Sequence, residues 1–562
     1  MSRTKIGGGR ITLNTSEPGW APRLRAFGRD GKKINFANFI DVLADLYKNR
    51  TAFVLDRTID YPGFSGDTLS YRDVQRLVNR MAHGLRALGV QKGDRVAMIT
   101  ANRVEMAFCN FAAGKIGAVP VPMNFMLRPS EIDYIIQKSG AEVLICDPLV
   151  YENTIRDTSN VPSVKKWAML GDDGNCPPAM TSIRSLMETA PDDVEPVLPR
   201  SDEETALLFF TSGTTGFPKG AMLSHSSAMV GVRFHGKLNA LRPKLGEGLS
   251  MLVMPVAHSG GYTAMLLQLA NGTPSYFVSR FNPAHILGLI EELRATFFVG
   301  SPAMYRMLLD AGAEQRDLSS IRVWGGGADS FDDPLVRKFR DLAARRTKVG
   351  IRLKPMFVRG YGMAEANSHV STTLWFPLGE NCLGWVMPPV RFRIVTEEGN
   401  DVRRGAVGEL LLKGPSLMHG YWNDPEATDA AMDHGWFHTG DLVRQGKWRM
   451  LYFAGRSGDI IKSGGYKIAA AEIDHVIAAH PDVDIAATVG MPDKVRGELP
   501  VTAVTMRPGA TATPEEILAF ARDRLALYKC PREIRVVGSM PLTISLKVKR
   551  REVLEQLLSE TQ

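Results

Sequence analysis

The sequence predicts an α/β protein with a large N-terminal domain of parallel-sheet subdomains plus a small β unit, followed by a small α+β C-terminal domain. Helical and extended patterns alternate between residues 71 and 146, strand-like runs take over after Gly384, and a short-range mixture of both follows Arg456. The chain has 562 residues, 44% of them hydrophobic and 23% charged, which is more than one core absorbs and too apolar for a disordered chain.

From Tyr71 to Leu88 the residues Val74, Leu77, Val78, Met81, Leu85 and Leu88 recur at helical spacing, and Gly89 and Gly93 close the segment. A strand over 95–100, a helix over 103–115, a strand over 118–122, a helix after Pro129 and a strand over 142–146 complete a βαβαβ alternation, which implies parallel sheet. The acidic, proline-bearing stretch 190–204 reads as a surface connection. RFRIV and GELLLKG, separated by the turn Glu398-Gly399-Asn400, predict a small antiparallel unit. Further on, a helix is expected over 470–479, strands near 485–489 and 501–506, and a helix over 514–527. The boundary falls at 456–459 and gives domains 1–455 and 456–562, with no internal repeat.

No run of apolar residues reaches the ~18 that a bilayer-spanning helix needs, and the first residues lack the apolar core of a signal peptide. A soluble, cytoplasmic protein without an integral membrane segment is expected. Cys109, Cys146, Cys176, Cys382 and Cys530 lie far apart, which argues against a zinc site or a disulfide framework. The net charge of +8 is mostly interleaved with acids, so nucleic acid is not an expected partner. In the C-terminal segment Lys529, Arg532, Arg535, Lys547, Lys549, Arg550 and Arg551 accumulate, as a solvated face or as a site for a polyanion. Oligomeric state is not legible.

The strongest chemical signal is TSGTTGFPKG at 211–220, directly after the apolar strand 206–210. Gly213, Gly216 and Gly220 let the backbone turn and approach a ligand, Thr211, Ser212, Thr214 and Thr215 add hydroxyl donors, and Lys219 adds a cation. Such a loop suits a polyphosphate. The Walker pattern cannot be written across it.

This decapeptide resembles the phosphate-binding signature of the adenylate-forming superfamily, which contains acyl-CoA synthetases, luciferases and nonribosomal peptide synthetase adenylation domains. The likeness continues in the family's order from about residue 40 to 551. MPVAHSGGY at 254–262 implies His258 as a wall or gate of the acyl pocket. WGGGA at 324–328, with Gly326, Gly327 and Ala328, resembles the family's loop beside adenine and the carboxylate; three side-chain-free glycines leave room there for a sizeable acyl group. RGYGMAE at 359–365 resembles QGYGMTE, by which Tyr361 and Gly362 lie at adenine and Glu365 holds Mg²⁺, with Ala364 where the family has threonine. GWFHTGDL at 435–442 implies Asp441 as the acceptor of the ribose hydroxyls. GRSGDIIKSGGYKI at 455–468 implies Arg456 at the ribose, Gly458 as hinge, and Ser463, Gly464 and Gly465 near the pantetheine of coenzyme A. MPLTISLKVKR at 540–550 resembles LPRTATGKILR and places the catalytic lysine at Lys547, after Leu546 in place of glycine.

The resemblance implies a carboxylate–CoA ligase that uses ATP, Mg²⁺ and coenzyme A on a fatty, aryl or alicyclic acid. Adenylation would precede thioester formation, with the C-terminal domain turning about Gly458 between them. LYKCP at 527–531 looks like the CoA-ligase form, and the absence of a fused carrier domain in this sequence agrees with it. The alternatives are transfer of the acyl group to a carrier protein or other acceptor, and a non-catalytic nucleotide- or acid-binding homologue carrying Ala364, Gly458 and Leu546.

Overall fold

The computed structural model describes residues 3–6, 11–16, 20–27, 34–171, 176–211, 218–241, 248–327, 331, 333–346, 350–367, 370–373, 379, 381–463, 466–493, 496–525, 527–543 and 547–560. The chain packs into two compact units. The first comprises residues 1–378, 387–390 and 413–435, and the second 379–386, 391–412 and 436–562.

In the first unit the expected alternation is present. Strands Arg95–Thr100, Val119–Asn124, Val143–Cys146, Lys166–Met169 and Thr181–Ser182 form one parallel sheet, with Arg95–Thr100 between Val119–Asn124 and Val143–Cys146. The helix Tyr71–Ala87 starts at a capping box in which the Ser70 hydroxyl accepts from the Asp73 N–H and the Asp73 carboxylate accepts from the Ser70 N–H. A second sheet runs in the order Phe64–Ser70, Thr51–Tyr61, Ser275–Phe277, Ser250–Leu252, Phe297–Gly300, Val323–Gly326, Met356–Tyr361 and Ser371–Thr372. Its inner strands are parallel and its two ends antiparallel. Behind it Tyr305 touches Phe298, Trp324, Phe331, Phe339 and Phe357, mostly edge to face, with its hydroxyl donating to the Gly325 carbonyl at 2.8 Å. This aromatic stack fixes the ends of the strands that carry the glycine run and the RGYGMAE motif.

In the second unit Arg391–Val395, Val407–Lys413, Trp436–Gln445, Leu451–Arg456 and Cys382–Val386 lie side by side in that order, the antiparallel β unit expected from the sequence. Strands Tyr466–Ala469, Ile460–Ser463, Gly497–Met506 and Val483–Asp493 form a further antiparallel sheet, to which Glu533–Val536 adds parallel to Gly497–Met506. Two apolar clusters, around Ile473 with Ile517 and around Val501 with Leu557, pack helices Ala470–Ala478, Pro514–Arg522 and Arg550–Ser559 against it. Three boundaries differ most from the sequence reading. The strands expected near 485–489 and 501–506 run from Val483 to Asp493 and from Gly497 to Met506, because they pair with each other along their lengths. The helix expected to reach 527 ends at Arg522: Leu525 is buried by one last turn, but Leu527 is 86% exposed and lies in a separate short turn.

Candidate active site

The strands Thr205–Thr211 and Lys219–Ser224 form an antiparallel hairpin in which Thr211 stands opposite Lys219. Ser212, Gly213, Thr214, Thr215 and Gly216 lie outside the described residues, so the structure gives the two ends of the glycine-rich loop. A segment at 419–422 lies antiparallel against the second strand. The Met222 N–H donates to Gly420 O at 3.0 Å, the His419 N–H to Met222 O at 3.0 Å, and the Trp422 N–H to Gly220 O at 2.8 Å. This pairing brings Tyr421 to the base of the loop, where Lys219 Nζ sits 5.4 Å from the centre of its ring.

Glu365 belongs to the short turn Ala364–Ala366 that follows strand Met356–Tyr361, and its carbonyl accepts the Met418 N–H at 2.7 Å. Its carboxylate faces the same place: Thr211 Oγ1 and Tyr421 Oη each donate to Glu365 Oε1 at 3.2 Å. Both hydrogen bonds that described residues make to this carboxylate fall on Oε1. Burial, and then the Glu365 charge, push the Tyr421 phenol far above its ordinary range, so it stays a donor. Thr211, Lys219 and Glu365, named from the sequence, thus converge around a residue the sequence reading missed. GYWNDPE at 420–426 held a signal for it: Gly420 has φ +141°, and a Cβ there would lie 2.6 Å from Thr428 Cγ2.

Tyr361 ends strand Met356–Tyr361 opposite Ser371 and leads into Gly362. His258 is the N-cap of helix Ser259–Asn271, with Nδ1 accepting from the Gly260 N–H at 3.1 Å, which leaves Nε2 as the proton-bearing nitrogen of the neutral ring.

The glycine run behaves differently from the sequence reading. A Cβ on Gly325 would meet Val299 Cγ2 at 3.0 Å, one on Gly326 would meet the Phe331 ring at 2.3 Å and Gly300 O at 2.8 Å, and one on Gly327 would meet Gly360 O at 2.8 Å. The expected room for an acyl group at these three positions is filled. The glycines permit close packing of neighbouring strands and the Phe331 ring. Ala328 lies outside the described residues.

In the second unit Asp441 and Arg456 are opposite one another on strands Trp436–Gln445 and Leu451–Arg456, with Nε 3.0 Å from Oδ1. Asp441 is buried and its N–H donates to Thr439 Oγ1 at 3.1 Å; that hydroxyl donates to Leu410 O at 2.7 Å. Ser463 is buried at the end of strand Ile460–Ser463, and Gly464 and Gly465 lie outside the described residues. Lys547 sits in a turn closed by the Thr543 N–H donating to Lys547 O at 2.6 Å and the Lys547 N–H donating to Thr543 Oγ1 at 3.0 Å; Leu546 lies outside the described residues. A Cβ on Gly458 would meet nothing within 4 Å.

Residues 41–422 match the family model described as AMP-binding enzyme, and residues 472–547 match the AMP-binding enzyme C-terminal domain. The chain belongs to the AMP-binding enzyme family. Among these enzymes, a feruloyl-CoA synthase of Amycolatopsis sp. is 33% identical over 500 residues, covering 87% of this chain and 94% of the relative. A 4-coumarate–CoA ligase 2 of Oryza sativa subsp. japonica is 30% identical over 514 residues, 88% of each. The fold matches that of ATP-bound MatB from Rhodopseudomonas palustris with a TM-score of 0.80 at 25% identity, over 94% of this chain and 100% of that one. It also matches o-succinylbenzoate CoA synthetase from Bacillus subtilis in complex with its acyl-adenylate, with a TM-score of 0.77 at 25% identity, over 92% and 98%. Family and fold are therefore those that the motifs imply.

Proposed function

We propose that this AMP-binding enzyme is an ATP-dependent carboxylate–CoA ligase of the acid–thiol class, acting on an apolar aryl or fatty acid and favouring aryl acids. The observation that carries the reading is the convergence of Thr211, Lys219 and Glu365 at the ends of the glycine-rich loop. The feruloyl-CoA synthase and 4-coumarate–CoA ligase among the relatives support the aryl preference.

A carboxylate is a weak nucleophile and hydroxide a poor leaving group, so the acid is activated first. One of its oxygens attacks the α-phosphorus of ATP, the bond to the β-phosphate bridging oxygen breaks, and pyrophosphate leaves. Lys547, and Lys219 beside the loop, offset charge that grows on phosphate oxygens. The thiolate of coenzyme A then attacks the acyl carbon of the adenylate and AMP departs. Tyr361 and Gly362 serve adenine, Asp441 and Arg456 serve the ribose, Ser463, Gly464 and Gly465 line the pantetheine path, and His258 walls the acyl pocket. Gly458, where a Cβ would meet nothing within 4 Å, is the hinge between half-reactions.

Mg²⁺ fits Glu365. No cluster of three or more His, Cys, Asp or Glu able to hold a metal occurs among the described residues, and a single carboxylate working with nucleotide phosphates is a donor set that Mg²⁺ accepts. When bound it would neutralise phosphate charge. No helix among the described residues is long and apolar enough to cross a membrane, and we place the enzyme in the cytoplasm on the cysteine pattern. A screen of carboxylic acids for pyrophosphate release, with and without coenzyme A, tests the reading. ATP binding without acid-dependent pyrophosphate release would instead support a nucleotide-binding homologue.

A further inference from the structure

We propose that Tyr421 is a positioning residue for the metal-facing carboxylate: with Thr211 it holds Oε1 of Glu365 and thereby presents Oε2 to the cation that accompanies ATP. The inference rests on the reading of Glu365 as the metal ligand.

Three observations carry it. Tyr421 Oη and Thr211 Oγ1 both donate to the same oxygen at 3.2 Å, from opposite sides of the chain in sequence, 154 residues away for Thr211 and 56 for Tyr421. A carboxylate with two donors on one oxygen has its other oxygen's lone pairs left for a cation, and its rotation about the terminal bond is restrained. Tyr421 itself is held by backbone pairing of 419–422 to the loop's outgoing strand and by Thr428, whose hydroxyl accepts the Tyr421 N–H at 2.8 Å. Finally, Lys219 lies over the face of the same ring at 5.4 Å. One phenol therefore links the anionic and the cationic group that flank the phosphate loop: its hydroxyl sets Glu365 and its ring face supports Lys219.

The two functions of the ring separate by mutation. Tyr421→Phe removes the hydroxyl and keeps the ring face; Tyr421→Leu removes both. The probe is Mn²⁺ with ATP, followed by the electron paramagnetic resonance signal of free Mn²⁺ in a titration of the full-length chain, beside ATP binding by calorimetry in EDTA. Tyr421→Phe is expected to weaken Mn²⁺ binding in the presence of ATP about 5- to 20-fold, less than the full worth of a hydrogen bond to a charged group because Thr211 still holds the same oxygen, and to leave metal-free ATP binding unchanged. Tyr421→Leu is expected to weaken metal-free ATP binding as well, by about 2- to 5-fold, through Lys219. Thr211→Val, which removes the other donor while keeping shape, should weaken Mn²⁺ binding in the presence of ATP to a similar extent and serves for that readout if Tyr421→Phe fails to fold; as a phosphate-loop residue it is not compared for metal-free ATP binding. Glu365→Gln separates the two levels of the argument. If Glu365→Gln weakens Mn²⁺ binding while folded Tyr421→Phe and Thr211→Val stay within twofold of the parent, the positioning role is wrong and the ligand role stands. If Glu365→Gln is itself without effect, the ligand role fails and the positioning role with it.

Discussion

Asp441 and Arg456 face each other across two neighbouring antiparallel strands, with the guanidinium Nε 3.0 Å from the carboxylate Oδ1. The carboxylate is buried while the guanidinium is half exposed, so the arginine covers a charge that the strand pair holds in place. A carboxylate fixed in this way is preorganised to accept hydroxyl donors and needs no rearrangement to do so.

Asp441→Asn keeps the shape and removes the charge. In the proposed role at the ribose, it is expected to raise the KM for ATP about 10- to 100-fold, the scale of charge-assisted hydrogen bonds, with little change in the KM for coenzyme A. Equal effects on both substrates would move Asp441 away from the nucleotide. Steady-state kinetics with each substrate varied in turn checks this.

Lys547→Ala is expected to slow adenylate formation on the order of 10²- to 10³-fold, as the loss of a preorganised charge contact in the transition state does. Thioester formation from synthetic acyl-adenylate should suffer far less. Similar losses in the two assays would contradict the division of labour between half-reactions.

Gly326→Ala should destabilise the fold by about 1 to 3 kcal/mol, because its methyl would enter the Phe331 ring at 2.3 Å and approach Gly300 O at 2.8 Å. Phe331→Leu in the same chain should recover part of the loss. Thermal melts of the single and double variants decide it; a Gly326→Ala protein as stable as its parent would mean that the position is open after all.

His225 is buried, and its pKa is lowered from 6.5 to about 4, by burial first, against the pull of Glu204 and Asp202 and together with Lys92. The folded chain accepts this proton near pH 4 and the unfolded chain near 6.5. The residue's stability contribution is therefore full above pH 6.5 and is lost as pH falls towards 4, by up to about 3 kcal/mol. Urea denaturation of the parent and of His225→Gln between pH 7 and 4 should show a shallower fall in the variant. Parallel curves would refute the assignment.

The parallel sheet was legible because short, largely apolar strands such as Arg95–Thr100 and Val143–Cys146 alternate with helical segments, and a strand–helix–strand alternation implies parallel pairing. Helix and strand ends were less so. The end at Arg522 was hidden because Leu525 and Leu527 continue the apolar spacing, although only Leu525 is buried, and the full length of Val483–Asp493 depends on a partner strand. Glu365, Asp441, Arg456 and Lys547 were named by motif resemblance; nothing in their local spacing specifies a nucleotide. Tyr421 was missed because its meaning arises from pairing with a strand about 200 residues earlier, which places it on Glu365 and under Lys219. The glycines of 325–327 were misread because a missing side chain marks either space for a ligand or tight packing, and only the neighbours distinguish the two.

The central claim, that this chain activates a carboxylic acid with ATP and passes it to coenzyme A, is tested most directly by a single-turnover experiment with an aryl acid and α-³²P-labelled ATP. Without coenzyme A, the account predicts a burst of acyl-adenylate and pyrophosphate stoichiometric with enzyme. On addition of coenzyme A, the adenylate should disappear as AMP and the acyl thioester appear in equal amounts. Bound ATP that yields no pyrophosphate with any aryl or fatty acid, or an adenylate that coenzyme A does not consume, would contradict it.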